Sequence, residues 1–337
     1  MTKGRTPDLC VIFPGALGDF VCFLPALRSL TERAPVDLFA RGEFADLAPP
    51  GVKVYSSECH QIAGLFLPGA PLDDRLRRFF QRYDCIFSWL GSQQQTFVQS
   101  LQVISQHRAR VFPFRPADGA NVHQADYYVS CIGENPQAPA IPTVVAKPDT
   151  KAWSESYWAQ HGLKDNPVLS IGPGSGSREK NWPVEFYSVV AKWWTSQVQG
   201  QVLVLVGPVE EERQGLDGLR DEAMVASHLS LGELAALLQR STAYLGNDSG
   251  VTHLAAALGV PTIALFGPSD LRQWAPRGEQ VTILSRNVEC SPCHLSVMKS
   301  CLHRKCLAGL APKKVMVELE KLLQMANLTR VGPGITV

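Results

Sequence analysis

Short apolar runs alternate along the chain with longer stretches in which apolar positions recur every three or four residues. Residues 9–14 form an apolar run ended by Pro and Gly, and residues 20–33 repeat with helical period. Residues 37–40, 52–55, 85–89 and 109–112 read as further strands, with helical patterns over 73–83 and 98–106. The alternation restarts later, with strands predicted at 167–171, 201–206, 244–245 and 262–266. The helices of that second series fall at 183–197, 210–222, 231–241, 251–258 and about 312–326. Strands alternating with helices predict an α/β protein with mostly parallel sheets covered on both faces.

The two series are separated by Pro136-Gln-Ala-Pro-Ala-Ile-Pro142 and then Lys147-Pro148-Asp149. Prolines this dense cannot continue a helix or a central strand. The boundary is therefore expected there, with residues 1–150 as one Rossmann-like domain and 151–337 as a second, their parallel sheets facing a central cleft.

Composition narrows the function classes. A length of 337 residues suits two domains of about 100–200 residues each. Lys and Arg total 32 against 31 Asp and Glu, so there is no basic excess and a nucleic-acid partner is not expected. No apolar run approaches the ~18 residues of a membrane span without a Pro, Gly or charge. The N-terminal apolar run, residues 9–13, is shorter than a signal peptide requires. A cytoplasmic protein is expected, with peripheral contact at the inner face of the membrane left open.

Three loops follow predicted strands, where ligands of open parallel sheets bind. The first is Phe13-Pro-Gly-Ala-Leu-Gly18-Asp19. Asp19 reads either as the N-cap of the next helix or as a carboxylate that takes a proton from an acceptor hydroxyl. The second is Gly172-Pro-Gly-Ser175-Gly-Ser177-Arg178-Glu-Lys180-Asn-Trp182-Pro183. Its glycines and serines offer backbone N–H groups, and Arg178 and Lys180 add charge, as a diphosphate-binding loop requires. A solvated loop with two surface cations fits the same composition. The third is Asn247-Asp248-Ser249-Gly250-Val-Thr-His253, continuing through Gly259-Val-Pro261 to Phe266-Gly267-Pro268. Asp248, Ser249 and Gly250 place a cap and backbone donors at a helix start, which suits an anion. His253 lies one turn further on, as a core histidine or as a ligand contact.

These runs resemble glycosyltransferase family 9, the bacterial heptosyltransferases. The long Asn-Asp-Ser-Gly-x-x-His to Phe-Gly-Pro run carries most of the resemblance. Gly18-Asp19 with Leu24-Pro25-Ala26-Leu27, Ser177-x-x-Lys180-x-Trp182-Pro183, and Trp274-x-Pro276-x-Gly278 fall in the same order. The loop ahead of Gly18 departs from the family, whose members usually carry a more polar or basic residue there.

The resemblance implies a GT-B fold with an N-terminal acceptor side and a C-terminal nucleotide-sugar side. It implies an inverting, metal-independent transfer of heptose from ADP-heptose to an acceptor hydroxyl, a glycan or glycolipid of the lipopolysaccharide core. Asp19 would be the general base, and Lys180 would balance charge on the donor diphosphate. Gly18, Ser175, Ser177, Arg178, Asp248, Ser249, Gly250 and His253 would line the donor site. Another nucleotide sugar, a protein or small-molecule acceptor, and a binding protein without turnover remain as alternatives.

Cys290, Cys293, Cys301 and Cys306 stand in a C-x2-C-x7-C-x4-C pattern that encloses His294 and His303. A structural Zn or Fe site, reduced thiols packing a loop, and a single disulfide are all readings of this spacing. No cofactor is expected for catalysis.

Overall fold

The computed structural model describes residues 8–67, 74–135, 137–164, 166–207 and 216–330. The chain divides into two compact units, Met1–Pro142 and Thr143–Val337.

The first unit is built on five strands: β1 (Leu9–Ile12), β2 (Val36–Ala40), β3 (Val52–Ser56), β4 (Cys85–Ser88) and β5 (Ala109–Val111). They lie in the order β3-β2-β1-β4-β5, and every pairing is parallel. The central strand β1 is Leu-Cys-Val-Ile and wholly buried, as a parallel strand covered on both faces must be. On one face Cys10 and Ile12 pack against Phe80, Phe97, Leu101 and Ile104. On the other, helix Leu17–Arg33 packs against helix Gln124–Cys131. An aromatic cluster closes this side. Phe13 stacks on Phe23 at 4.5 Å between centroids, and Trp89 meets Phe23 edge-on at 4.8 Å.

The second unit holds β6 (Val168–Gly172), β7 (Gln201–Leu205), β8 (Met224–Ala226), β9 (Ala243–Asn247), β10 (Thr262–Phe266) and β11 (Val281–Ser285). Their order is β11-β10-β9-β6-β7-β8, again all parallel. Counted from β6, the sheet grows outward to β8 and then returns to the other side of β6, the doubly wound Rossmann arrangement. β6, β9 and β10 are buried at every position.

Lys147-Pro148-Asp149 opens a helix, Pro148–Gln160, with proline at a first-turn position where its missing N–H costs nothing. Just upstream, the Val144 N–H donates to the Ala257 carbonyl at 2.8 Å, which fastens this stretch to the second unit. Of the helix expected over residues 210–222, residues 208–215 lie outside the described residues, and Asp217–Arg220 is helical. Among the described residues no helix is long and apolar enough to cross a membrane.

Candidate active site

Strands that send their connections in opposite directions leave a crevice at their carboxyl ends, and ligands of open α/β sheets bind there. In the second unit that switch point lies between β6 and β9. Residues 173–183 follow β6, and Asp248 and Ser249 follow β9. The two loops meet through charge: Lys180 Nζ donates to Asp248 Oδ2 at 2.7 Å. The Asp248 side chain is 7% exposed and that of Lys180 29%. A carboxylate this buried needs a partner, and the ammonium supplies one. The hydroxyl of Ser269, from the loop after β10, donates to the same Oδ2.

The loop after β6 is held at both ends by one residue. The fully buried Asn247 accepts the Trp182 N–H on Oδ1 at 2.9 Å and donates from Nδ2 to the Pro173 carbonyl at 2.7 Å. Between these ends the Ser175 hydroxyl shares its proton between the Ser177 carbonyl at 2.7 Å and Asn181 Oδ1 at 2.6 Å. Ser175 is buried, Arg178 is exposed, and Ser177 and Lys180 are half-buried. Truncation of Asn247 to Ala orphans a buried donor and a buried acceptor, each costing about 1–3 kcal/mol. Asn247→Ala is expected to lower unfolding free energy by about 2–4 kcal/mol. Denaturant titration checks this, and a loss below about 0.5 kcal/mol would remove Asn247 as the anchor of the loop.

Helix Gly250–Ala257 starts at the same edge with Ser249 as its N-cap, the Ser249 hydroxyl accepting the Thr252 N–H. The backbone N–H groups at the start of this helix and its dipole favour an anion. His253 is 5% exposed and lies inside that helix against the sheet. Beneath the crevice sits Tyr244, whose phenol lies 3.2 Å from Thr252 Oγ1. Gly172 and Gly246 make room for it. A Cβ on either would come within 2.2 and 2.3 Å of the Tyr244 oxygen.

In the first unit the switch point lies between β1 and β4. Helix Leu17–Arg33 begins earlier than the apolar period indicates, and its N-cap is Ala16, so Asp19 is not the N-cap. It is the third helical residue and reaches back: Oδ2 accepts the Ala16 N–H at 3.1 Å. Oδ1 accepts from Arg115 Nη1 at 2.7 Å, and the Asp19 side chain is 12% exposed. Gly15 permits this turn, since a Cβ there would stand 2.4 Å from the Phe13 ring and 2.7 Å from Asp19 Cβ. Below lies Tyr128, whose phenol burial pushes well up, with the Asp19 charge adding to the effect.

Gly18 joins Asp19 in that first turn. The remaining predicted donor residues come together around β6 and β9. Ser269 and Arg115 add to the set without a signal in their own sequence neighbourhoods.

Of the three readings of the four clustered cysteines, the structure favours free thiols over a metal centre or a disulfide. Among the described residues no group of three or more His, Cys, Asp or Glu is placed to hold a metal ion. The Cys293 thiol turns to the Cys290 carbonyl at 3.0 Å, Cys301 faces the His303 ring at 3.7 Å, Cys290 is exposed, and Cys306 is buried. All four are free thiols. As placed, these donors form no set that fits a structural Zn or Fe ion.

The sequence pattern of glycosyltransferase family 9 (heptosyltransferase) matches residues 132–307. The chain belongs to glycosyltransferase family 9. Its matched span includes Lys180, Asp248, Ser269 and the thiol segment; Asp19 and Arg115 stand ahead of it. Lipooligosaccharide heptosyltransferase 2 of Campylobacter jejuni is 28% identical over 171 residues, 48% of this chain and 52% of that protein. The chain thus spans about half the length of the curated relatives it matches. A family 9 glycosyl transferase structure from Veillonella parvula aligns with TM-score 0.74 and 20% identity, over 96% of this chain and 99% of that one. The Escherichia coli ADP-heptose lps heptosyltransferase II aligns with TM-score 0.70 and 19% identity, over 95% and 99% of the two chains. At these identities the likeness is one of fold: the GT-B type, with two parallel-sheet α/β units.

Proposed function

We propose that this family 9 chain is a heptosyltransferase that moves heptose from ADP-heptose to an acceptor hydroxyl of the lipopolysaccharide core, with inversion and without a catalytic metal. The Lys180–Asp248 pair at the β6/β9 switch point carries this reading. A nucleoside diphosphate leaving group needs cationic and N–H partners where its charge develops, and this edge supplies both. Lys180 and Arg178 bring the charge. The first turn of helix Gly250–Ala257 and the Ser-Gly-rich loop bring the N–H groups.

In this reading the acceptor oxygen attacks the anomeric carbon from the side opposite the diphosphate. The new C–O bond forms as the bond to the phosphate oxygen breaks, and the configuration inverts. Asp19 receives the acceptor proton, and ADP departs with the bonding pair. Asp248 holds Lys180 beside the diphosphate, and Ser269 holds Asp248.

The choice of ADP-heptose as donor is supported by the family and by the name of the Escherichia coli relative, which specifies ADP-heptose. Melting with ADP, UDP, GDP, CDP and ADP-heptose tests it, because a ligand that binds only the folded state raises the melting temperature. ADP and ADP-heptose are expected to stabilise selectively, by about 2.7 kcal/mol at a hundredfold excess over Kd. A response confined to UDP or GDP would remove heptose as the donor. No response to any of the five would remove the donor site itself.

A further inference from the structure

The segment that carries the four cysteines does not gather a metal, yet it is stitched to two loops of the site. On one side the Ser291 hydroxyl donates to the Gly267 carbonyl at 2.6 Å, and the Cys293 N–H donates to the Pro268 carbonyl at 2.8 Å. Leu307 fills the space beside Gly267, where a Cβ would stand 2.5 Å from Leu307 Cγ. These contacts hold the loop that presents Ser269 to Asp248. On the other side Arg304 Nη1 donates to the Arg178 carbonyl at 3.1 Å, and Trp182 Nε1 donates to the Leu310 carbonyl at 2.9 Å. These hold the loop that carries Lys180.

Arg304 stands out among these ties. Its φ is +38°, in the left-handed region that an L side chain other than Asn or Asp rarely takes. Glycine would make this turn without strain. An arginine here is accounted for by what its side chain reaches, and it reaches the middle of the donor loop. Arg304 also acts on Glu179, which lies between Arg178 and Lys180. The Ser177 hydroxyl holds the Glu179 carboxyl below its usual range, and the charges of Arg304 and Lys299 add to this. A carboxylate at that point repels an incoming diphosphate, and the guanidinium offsets it.

We propose that Arg304 is a positioning residue of the donor site, fixing the loop around Arg178 in the shape that receives a nucleoside diphosphate. The proposal rests on the donor-site reading given above. It assigns the thiol-bearing segment the work of a brace between the loops after β6 and β10.

The test is Arg304→Gly, which removes the guanidinium and suits the left-handed backbone. The melting temperature is expected to hold, since the relieved strain offsets the added chain freedom. The affinity for ADP, measured by calorimetry, is expected to fall about three- to tenfold, the worth of one charge-assisted hydrogen bond at an exposed site. KM for the nucleotide sugar rises with kcat little changed, because the contact is made equally in the ground and transition states. Arg304→Lys restores part of the affinity. Glu179→Gln in the Arg304→Gly background restores another part, which a purely structural residue would not produce. Wild-type ADP affinity in Arg304→Gly, or a loss that follows a lowered melting temperature, overturns the proposal. If the wild-type chain binds no nucleoside diphosphate, the donor-site reading fails first and takes this proposal with it.

Discussion

Asp19→Asn is expected to abolish glycosyl transfer and to leave ADP binding intact. The amide keeps the shape of the carboxylate, and its oxygen still accepts the Ala16 N–H that ties the helix start together. It cannot take a proton from a sugar hydroxyl at neutral pH. Loss of a positioned general base costs about 10²–10⁴-fold in rate. The structural cost is small by comparison. The ion pair with Arg115 is broken, but Arg115 is 43% exposed, and exposed pairs contribute about 0–1 kcal/mol. Steady-state kcat with saturating donor and acceptor, beside calorimetric ADP affinity, gives the answer. A variant that keeps more than about a tenth of the wild-type rate would remove Asp19 as the base. A variant that loses ADP affinity in step with rate would move Asp19 from the acceptor side of the reaction to the donor side.

The parts of this site that could be read from the chain are those whose chemistry is local. β1, β6 and β10 are mostly apolar because both of their faces are covered, and such runs are visible in sequence. Edge strands are less uniform: the runs at 52–55 and 109–112 mark β3 and β5, but β8 and β11 carry no such run. β8 is half-buried at two of its three positions and β11 at four of its five, so neither stands out from a loop. Helix Pro148–Gln160 was hidden by its proline, which punctuates a chain whether it breaks an element or opens one. Few of its residues are buried, Ser154 and Trp158 among them, too few to print a helical period.

At the site, Lys180 and Asp248 were legible as residue types in glycine-rich turns. Their pairing was not, since 68 positions separate them and only the β6–β9 adjacency brings them together. Ser269 follows Phe-Gly-Pro like any loop serine, and Arg115 stands 96 positions from Asp19. Neither carries a local mark of what it will meet. Leu17 falls on the apolar period of Phe20, Val21 and Leu24, but Gly18 beside it reads as a turn residue, which makes Asp19 look like a cap. The cysteine spacing was legible as a ligand pattern, but coordination is decided by convergence in space, and the backbone turns the Cys293 and Cys301 sulfurs towards local partners instead.

Lys180→Met is expected to lose donor affinity and stability together, and a second substitution separates the two losses. The Met side chain matches the Lys stem and removes only the charge. Asp248 then keeps its carboxylate at 7% exposure with the Ser269 hydroxyl beside it and no cation. An uncompensated carboxylate in a fully buried site costs about 3–5 kcal/mol. Lys180 is 29% exposed, so water reaches the pair and the expected loss is smaller, about 1–3 kcal/mol. On the proposed reading the diphosphate loses the Lys180 ammonium, and ADP affinity is expected to fall about 10- to 100-fold, the 1.5–3 kcal/mol of a hydrogen bond to a charged group. Asp248→Asn in the same chain removes the charge that needed a partner. Its amide still accepts from Ser269, so the denaturation midpoint should return most of the way to wild type. ADP affinity should not return, because the ammonium proposed to face the diphosphate is still missing. If affinity recovers along with stability, Lys180 acts only by holding Asp248 in place, and the cation that meets the leaving group must be Arg178 alone.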